Sequence, residues 1–302
     1  MRRASADWVP AIGQRDGIKS VSPKIWNLQI LDTTKSSLTI AALVNFTNPT
    51  DYSATVPFAD VHIFNNGSLL GHATTKTITV RPGNNTNIPV TAIWDPLSFG
   101  GKDAHKVGVE LLSQYISGYN TTITIRTHNG SIPSQPALGQ VLSKFPVELP
   151  TPPLGDPIPS DPDDPNDPPK DGDDKDPTRK QPAFISDATM HLLTSSATFI
   201  LHSPLLTSTI SITHINATAM YHDDEVGSIV DDELIIVPPR VPTKTPRLYV
   251  DWSLGSVGYE AIRNAVGGTL KLSARATVGV RLGSWEEKIW FVGKGIGAKI
   301  RL

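Results

Sequence analysis

Six asparagines stand in Asn-x-Ser/Thr triplets with no proline between: Asn45, Asn66, Asn84, Asn120, Asn129 and Asn216. The triplet is the acceptor of an N-linked glycan in a chain that enters the secretory pathway. There are 13 asparagines and 54 serines plus threonines among 302 residues, so chance would supply only about two such triplets. Asn66, Asn84 and Asn129 fall in predicted turns. Asn45 and Asn216 fall opposite the more apolar face of their strands, where a bulky glycan can point to water. The excess predicts a lumenal or extracellular chain. The competing reading is compositional, because turns gather Asn, Gly, Ser and Thr for their backbone preferences alone.

Other reactive residues form no reaction centre. The eight histidines are dispersed without metal-ligand spacing. One dense polar stretch, His222-Asp223-Asp224-Glu225 followed by Asp231-Asp232-Glu233, offers carboxylates to a divalent cation, but a solvated hairpin uses the same residues. Gly293-Lys294-Gly295-Ile296-Gly297 has the glycines of a phosphate loop, yet no helix follows to present its N-terminus. No Gly-x-Ser-x-Gly elbow occurs. The chain has no cysteine, which removes disulfides, thiolate metal sites and cysteine nucleophiles. Five tryptophans, Trp26, Trp94, Trp252, Trp285 and Trp290, are read as core packing before a sugar or lipid platform. Trp285 and Trp290 are five apart and so face opposite sides of a strand.

The elements that position these residues are mainly strands. Formal net charge is −2, which argues against a nucleic-acid footprint. Residues 150–182 hold eleven of the 26 prolines and nine aspartates against four basic residues. This segment cannot bury enough apolar surface to offset chain entropy and is read as an extended acidic linker. It divides the chain into an extension over 1–19, a first domain over 20–149 and a second over 183–302. In the second, Leu270 to Leu282 alternates apolar and polar without error, the strongest strand signal in the chain. Asn65-Asn66-Gly67-Ser68, Arg81-Pro82-Gly83-Asn84-Asn85 and His128-Asn129-Gly130-Ser131 mark tight turns. Each domain holds one helix candidate: Ala104, Val107, Gly108, Leu111, Leu112 and Tyr115 in the first, Val257, Ala261, Ala265 and Val266 in the second.

The order of landmarks repeats. Gly71, Val80, Pro82 and Trp94 are matched by Gly227, Val237, Pro239 and Trp252 at nearly equal separations, each set followed by a helix signal, a long strand and a hairpin. The pattern predicts a duplicated antiparallel β-sandwich module with one inserted helix per copy.

Val44-Asn45-Phe46-Thr47-Asn48-Pro49-Thr50, Ala59-Asp60-Val61-His62-Ile63, Asn66-Gly67-Ser68-Leu69-Leu70-Gly71 and Val80-Arg81-Pro82-Gly83 resemble the group-2 late-embryogenesis-abundant (LEA) domain, also called the water-stress and hypersensitive-response domain. The likeness covers roughly residues 20–148. The second copy departs from it, with His202-Ser203-Pro204 in place of Asn-Pro and Pro238-Pro239-Arg240 at the later turn. Thr245-Pro246-Arg247-Leu248-Tyr249-Val250-Asp251-Trp252 and the strands after it are similar to the C-terminal part of a fungal family. Those are vacuolar-membrane proteins of tandem Ig-like domains, linked to the termination of autophagy. The resemblance implies two tandem Ig-like, LEA-type antiparallel β-sandwiches on the lumenal side of the vacuolar membrane.

The resulting expectation is a non-enzymatic lumenal segment with a binding or structural role in autophagy regulation, needing no cofactor. Its partners would be lipid or other vacuolar membrane proteins, not nucleic acid. No run approaches the ~20 apolar residues of a bilayer span, and residues 1–8 lack an apolar signal region, so a membrane anchor is expected outside this chain. A lipid groove between sheet and helix would be lined by Val107, Leu111 and Tyr115. Two alternatives remain: a soluble, cytoplasmic stress-protective LEA-type protein, and an unrecognised hydrolase centred near His222 and Asp231.

Overall fold

The computed structural model describes residues 23–48, 51–151, 184–222, 224–253 and 269–301. The acidic segment from 152 onward and the helix expected at 257–266 lie outside the described residues. The first part of the chain runs β1 (Lys24–Thr33), β2 (Leu38–Asn48), β3 (Ala54–Asn65), β4 (Ser68–Val80), β5 (Gly83–Trp94), α1 (Pro96–Ile116), β6 (Thr122–Arg126), α2 (Pro136–Leu142) and β7 (Val147–Pro150). The second runs β8 (Ile185–His191), β9 (Ser196–Leu201), β10 (Ile210–Tyr221), β11 (Asp224–Asp231), β12 (Ile235–Val237), β13 (Thr243–Lys244), β14 (Leu248–Tyr249), β15 (Asp251–Trp252), β16 (Thr269–Leu282) and β17 (Trp285–Arg301).

The expected turns form as written. Asn66 and Gly67 both take positive φ between β3 and β4. Asn85 closes the next turn, its side chain accepting from the Arg81 N–H and donating to the Arg81 carbonyl, each at 2.8 Å. The Gly-Lys-Gly-Ile-Gly stretch is part of β17. There Lys294 and Gly295, the latter at φ +67°, oppose the single residue Ser273, a bulge that re-aims the strand.

Both halves share one topology. The first sheet has the order β1-β2-β5-β4-β3-β6-β7, and β1 and β7 come within contact range at its ends. In the second sheet the counterpart of β5 is broken into short strands. β13 and β14 pair β9, while β15 pairs β11, so one segment bridges the two ends and curls the sheet into a barrel. The cyclic strand order is then the same in both. Seven strands cannot alternate direction around a closed ring, so one neighbouring pair must be parallel. That pair is β8 with β17, at Gly297–Arg301 against Asp187–His191. Each expected sandwich takes the form of a curled, barrel-like sheet, with a hydrogen-bonded parallel seam in the second.

The landmark glycines and tryptophans occupy equivalent positions. Gly71 pairs Trp94 across β4 and β5, and Gly227 pairs Trp252 across β11 and β15. A Cβ on Gly71 would sit 2.1 Å from the Ile93 carbonyl oxygen, and one on Gly227 would sit 3.0 Å from the Trp252 ring. Glycine lets each pair of strands close.

Candidate functional site

Helix α1 begins at Pro96. The Asp95 side chain caps it by accepting from the Ser98 N–H at 3.1 Å. The helix kinks at Gly101, which has φ +73°. Beyond the kink it carries two apolar stripes. Ala104, Val107 and Leu111 pack on Leu70, Trp94 and Ile123 of the first domain. Val109, Leu112 and Ile116 pack on the core of the second domain, which includes Trp285, Ile289 and Leu282. Both stripes have i, i+3, i+7 spacing. At 3.6 residues per turn, the five-residue offset between them turns about 140° around the axis, so one helix serves two cores.

The polar side chains between the stripes finish the contact. β8 begins at Ile185 and first meets β17 at Gly297, so the earlier part of β17 extends beyond its parallel partner. α1 stands along that edge. Ser113 Oγ accepts from the Trp290 N–H at 3.1 Å and Ser117 Oγ accepts from the Val292 N–H at 2.9 Å. Four residues along a helix rise about 6 Å and two along a strand about 6.6 Å, so the hydroxyls match the strand's outward donors. The Trp290 indole N–H donates to Glu110 Oε2 at 2.8 Å, His105 Nε2 and Glu287 Oε2 are 2.6 Å apart, and the Ser284 N–H donates to Thr33 Oγ1 at 2.9 Å.

Inside the second barrel lies a cavity of about 120 Å³. Its wall is almost wholly apolar and includes Phe199, Ala217, Ala219, Ala274, Ala276 and, from α1, Ile116. Ala217 pairs Ala276 and Ala219 pairs Ala274 across β10 and β16. Small side chains placed opposite one another leave the space that larger ones would fill. Trp252 also lines the cavity, and its indole N–H is buried without an acceptor among the described residues. A second cavity of about 300 Å³ lies between the domains beside Trp94, His105, Leu112, Trp285 and Glu287. It is more polar than the first.

Leu111 is buried against its own sheet. Burial pushes the Tyr115 hydroxyl up to about 12. Val107, Leu111 and Tyr115 line neither cavity. Among the glycan acceptors, Asn66, Asn84, Asn120, Asn129 and Asn216 are exposed and Asn45 is half-buried. The Asn87 N–H donates to Asn45 Oδ1 at 2.8 Å, and Thr47 Oγ1 donates to Asn84 Oδ1 at 2.8 Å. The acceptors at Asn45 and Asn84 are thus cross-strand neighbours on β2 and β5. His222 follows β10, and Asp224 and Asp231 lie at opposite ends of β11. Seven residues of strand separate those carboxylates by about 23 Å, and no metal-holding cluster occurs among the described residues. Trp285 is buried in the second core, whereas Trp290 faces α1. In the first domain His62 and His128 stack at 4.1 Å. Burial, then the neighbouring His128, hold His62 below the ordinary imidazole value, against an opposing pull from Asp60 and with a still smaller push from His72. No described helix is long and apolar enough to cross a membrane.

Fold and site together define a tandem of small barrel-like β domains with one apolar interior and a helix shared between them. Residues 21–140 match the family model of the Tag1-like fourth LEA-2 like domain, and residues 177–290 match that of the Tag1-like fifth LEA-2 like domain. The chain belongs to the Tag1-like LEA-2 like domain family. Among curated proteins, none matches it.

Proposed function

We propose that the chain is a non-enzymatic binding segment on the lumenal side of a vacuolar membrane, and that its second domain takes one aliphatic chain of a lipid. The cavity inside the second barrel carries this reading: its wall offers an alkyl chain dispersion contacts and almost no polar group. This reading puts the lipid in the second barrel, a different site from the groove expected beside Val107, Leu111 and Tyr115. The six glycan acceptors, five of them exposed, support the lumenal side. A role in ending autophagy would then rest on lipid held at that membrane.

The test is a titration of the full chain with cis-parinaric acid, whose fluorescence rises in apolar surroundings. Saturable uptake at one site is expected. Ala276→Leu, which fills the space opposite Ala217, is expected to weaken it at least ten-fold with circular dichroism unchanged. Uptake that ignores Ala276→Leu would refute this placement of the site.

A further inference from the structure

We infer that the first domain, through α1, is a removable stopper on the apolar cavity of the second. The inference rests on the lipid-chain reading above and adds how the chain would enter.

The size of the cavity makes the need plain. Ligand pockets run from about 300 to 1,000 Å³, whereas this space is about 120 Å³. A whole alkyl chain fits only if part of the wall moves. The long strands cannot part cheaply, because each is held by a ladder many residues long, although the short β13, β14 and β15 pair over two residues each. β16 alone is paired along its length with both β10 and β17. Among the described residues, one wall residue comes from outside the barrel, and that is Ile116 of α1. It enters where β17 runs on past β8, a place where a strand is missing and a helix stands instead.

The bonds that hold α1 there are of a reversible kind. Two serine hydroxyls, one carboxylate on an indole and one imidazole–carboxylate pair make the polar contact. Water can replace every one of them once the edge is exposed, and β17 keeps its ladder to β16 throughout. The neighbouring cleft of about 300 Å³ shows that the two domains are not packed together along the whole interface. The stripe of Ala104 and Leu111 stays buried on the first sheet, so α1 leaves with its own domain and does not unfold. Leaving also uncovers Val109, Leu112 and Ile116, which pack on the second core, so opening costs more than at the modest, polar interfaces across which domains move.

The absence of cysteine makes the test clean. His105→Cys and Glu287→Cys place thiols on facing side chains that are 39% and 20% exposed. A cleavable bis-maleimide joins them in the full chain, and cis-parinaric acid uptake is followed by stopped flow. The joined protein is expected to take up the probe at least ten-fold more slowly than the same variant before joining, and to recover on cleavage. Ser113→Ala with Ser117→Ala, without a cross-link, is expected to speed uptake several-fold. Equal rates in joined and unjoined protein would overturn the stopper while leaving the lipid-chain reading intact. Failure of every form to bind the probe would overturn both. Near-ultraviolet circular dichroism of each variant separates these outcomes from loss of fold.

Discussion

Replacing Ser113 by alanine isolates the bond between helix and strand edge. Ser113 is fully buried, its hydroxyl donating to the Val109 carbonyl at 2.8 Å and accepting from the Trp290 N–H at 3.1 Å. Val109 keeps its helical partner without the hydroxyl. Trp290 does not, and its N–H is left against a methyl group. A buried donor stripped of its acceptor costs about 1–3 kcal/mol, more than the bond itself contributes net. Ser117 is half-buried, so water reaches the Val292 N–H more easily and Ser117→Ala should cost about 1 kcal/mol or less. Urea unfolding of the full chain, followed by tryptophan fluorescence, gives the loss. Amide exchange at Trp290 and Val292 gives its location. Ser113→Ala should lower the midpoint of the second domain and speed exchange at Trp290 first. A loss below about 0.5 kcal/mol with unchanged exchange would show that α1 does not cap this edge.

Three further outcomes follow from the same contacts. Gly71→Ala should cost about 3 kcal/mol or more, because its methyl would meet a backbone oxygen, whereas Gly227→Ala meets side-chain and backbone atoms at 3.0–3.2 Å and should cost about 1 kcal/mol; equal losses by urea titration would contradict the register. His62 has a depressed value in the fold, so the unfolded chain binds its proton first; the stability held above the ordinary imidazole value, about 6.5, is lost as pH falls through the lowered one, and His62→Gln should flatten that slope in acid thermal melts. Expression in a fungal secretory host should give an endoglycosidase-sensitive product by mass, with Asn45 and Asn84 seldom modified on the same molecule, since they are cross-strand neighbours joined through Thr47; full occupancy of both would contradict that crowding.

Some of this was legible in the residues. The unbroken alternation from Leu270 to Leu282 is β16, and the spacing of Gly71 to Trp94 and Gly227 to Trp252 is a cross-strand pairing present in both copies. Five-residue spacing put Trp285 and Trp290 on opposite faces, but nothing local said that Trp290 would meet another domain. The second stripe of α1 was legible only at Leu112, because Val109 and Ile116 are interleaved with Ala104, Val107 and Leu111. Their 140° offset marks a two-sided helix only when two stripes are sought. Ser113 and Ser117 read as ordinary surface polar residues, since a strand edge that ends its pairing early is a property of register. The cavity arises from alanines that are far apart in sequence, such as Ala217 and Ala276, and become opposed only once β10 and β16 are aligned. The parallel seam follows from counting strands around a ring, a count that needs the broken counterpart of β5.

The central claim, that the second barrel houses an aliphatic chain, is tested most directly by native mass spectrometry of the full chain purified from a eukaryotic secretory host and treated to remove glycans. A single adduct with the mass of one lipid or fatty acid is expected, reduced or lost in Ala276→Leu. Only the bare protein mass, under conditions that keep a control fatty-acid carrier loaded, would contradict it.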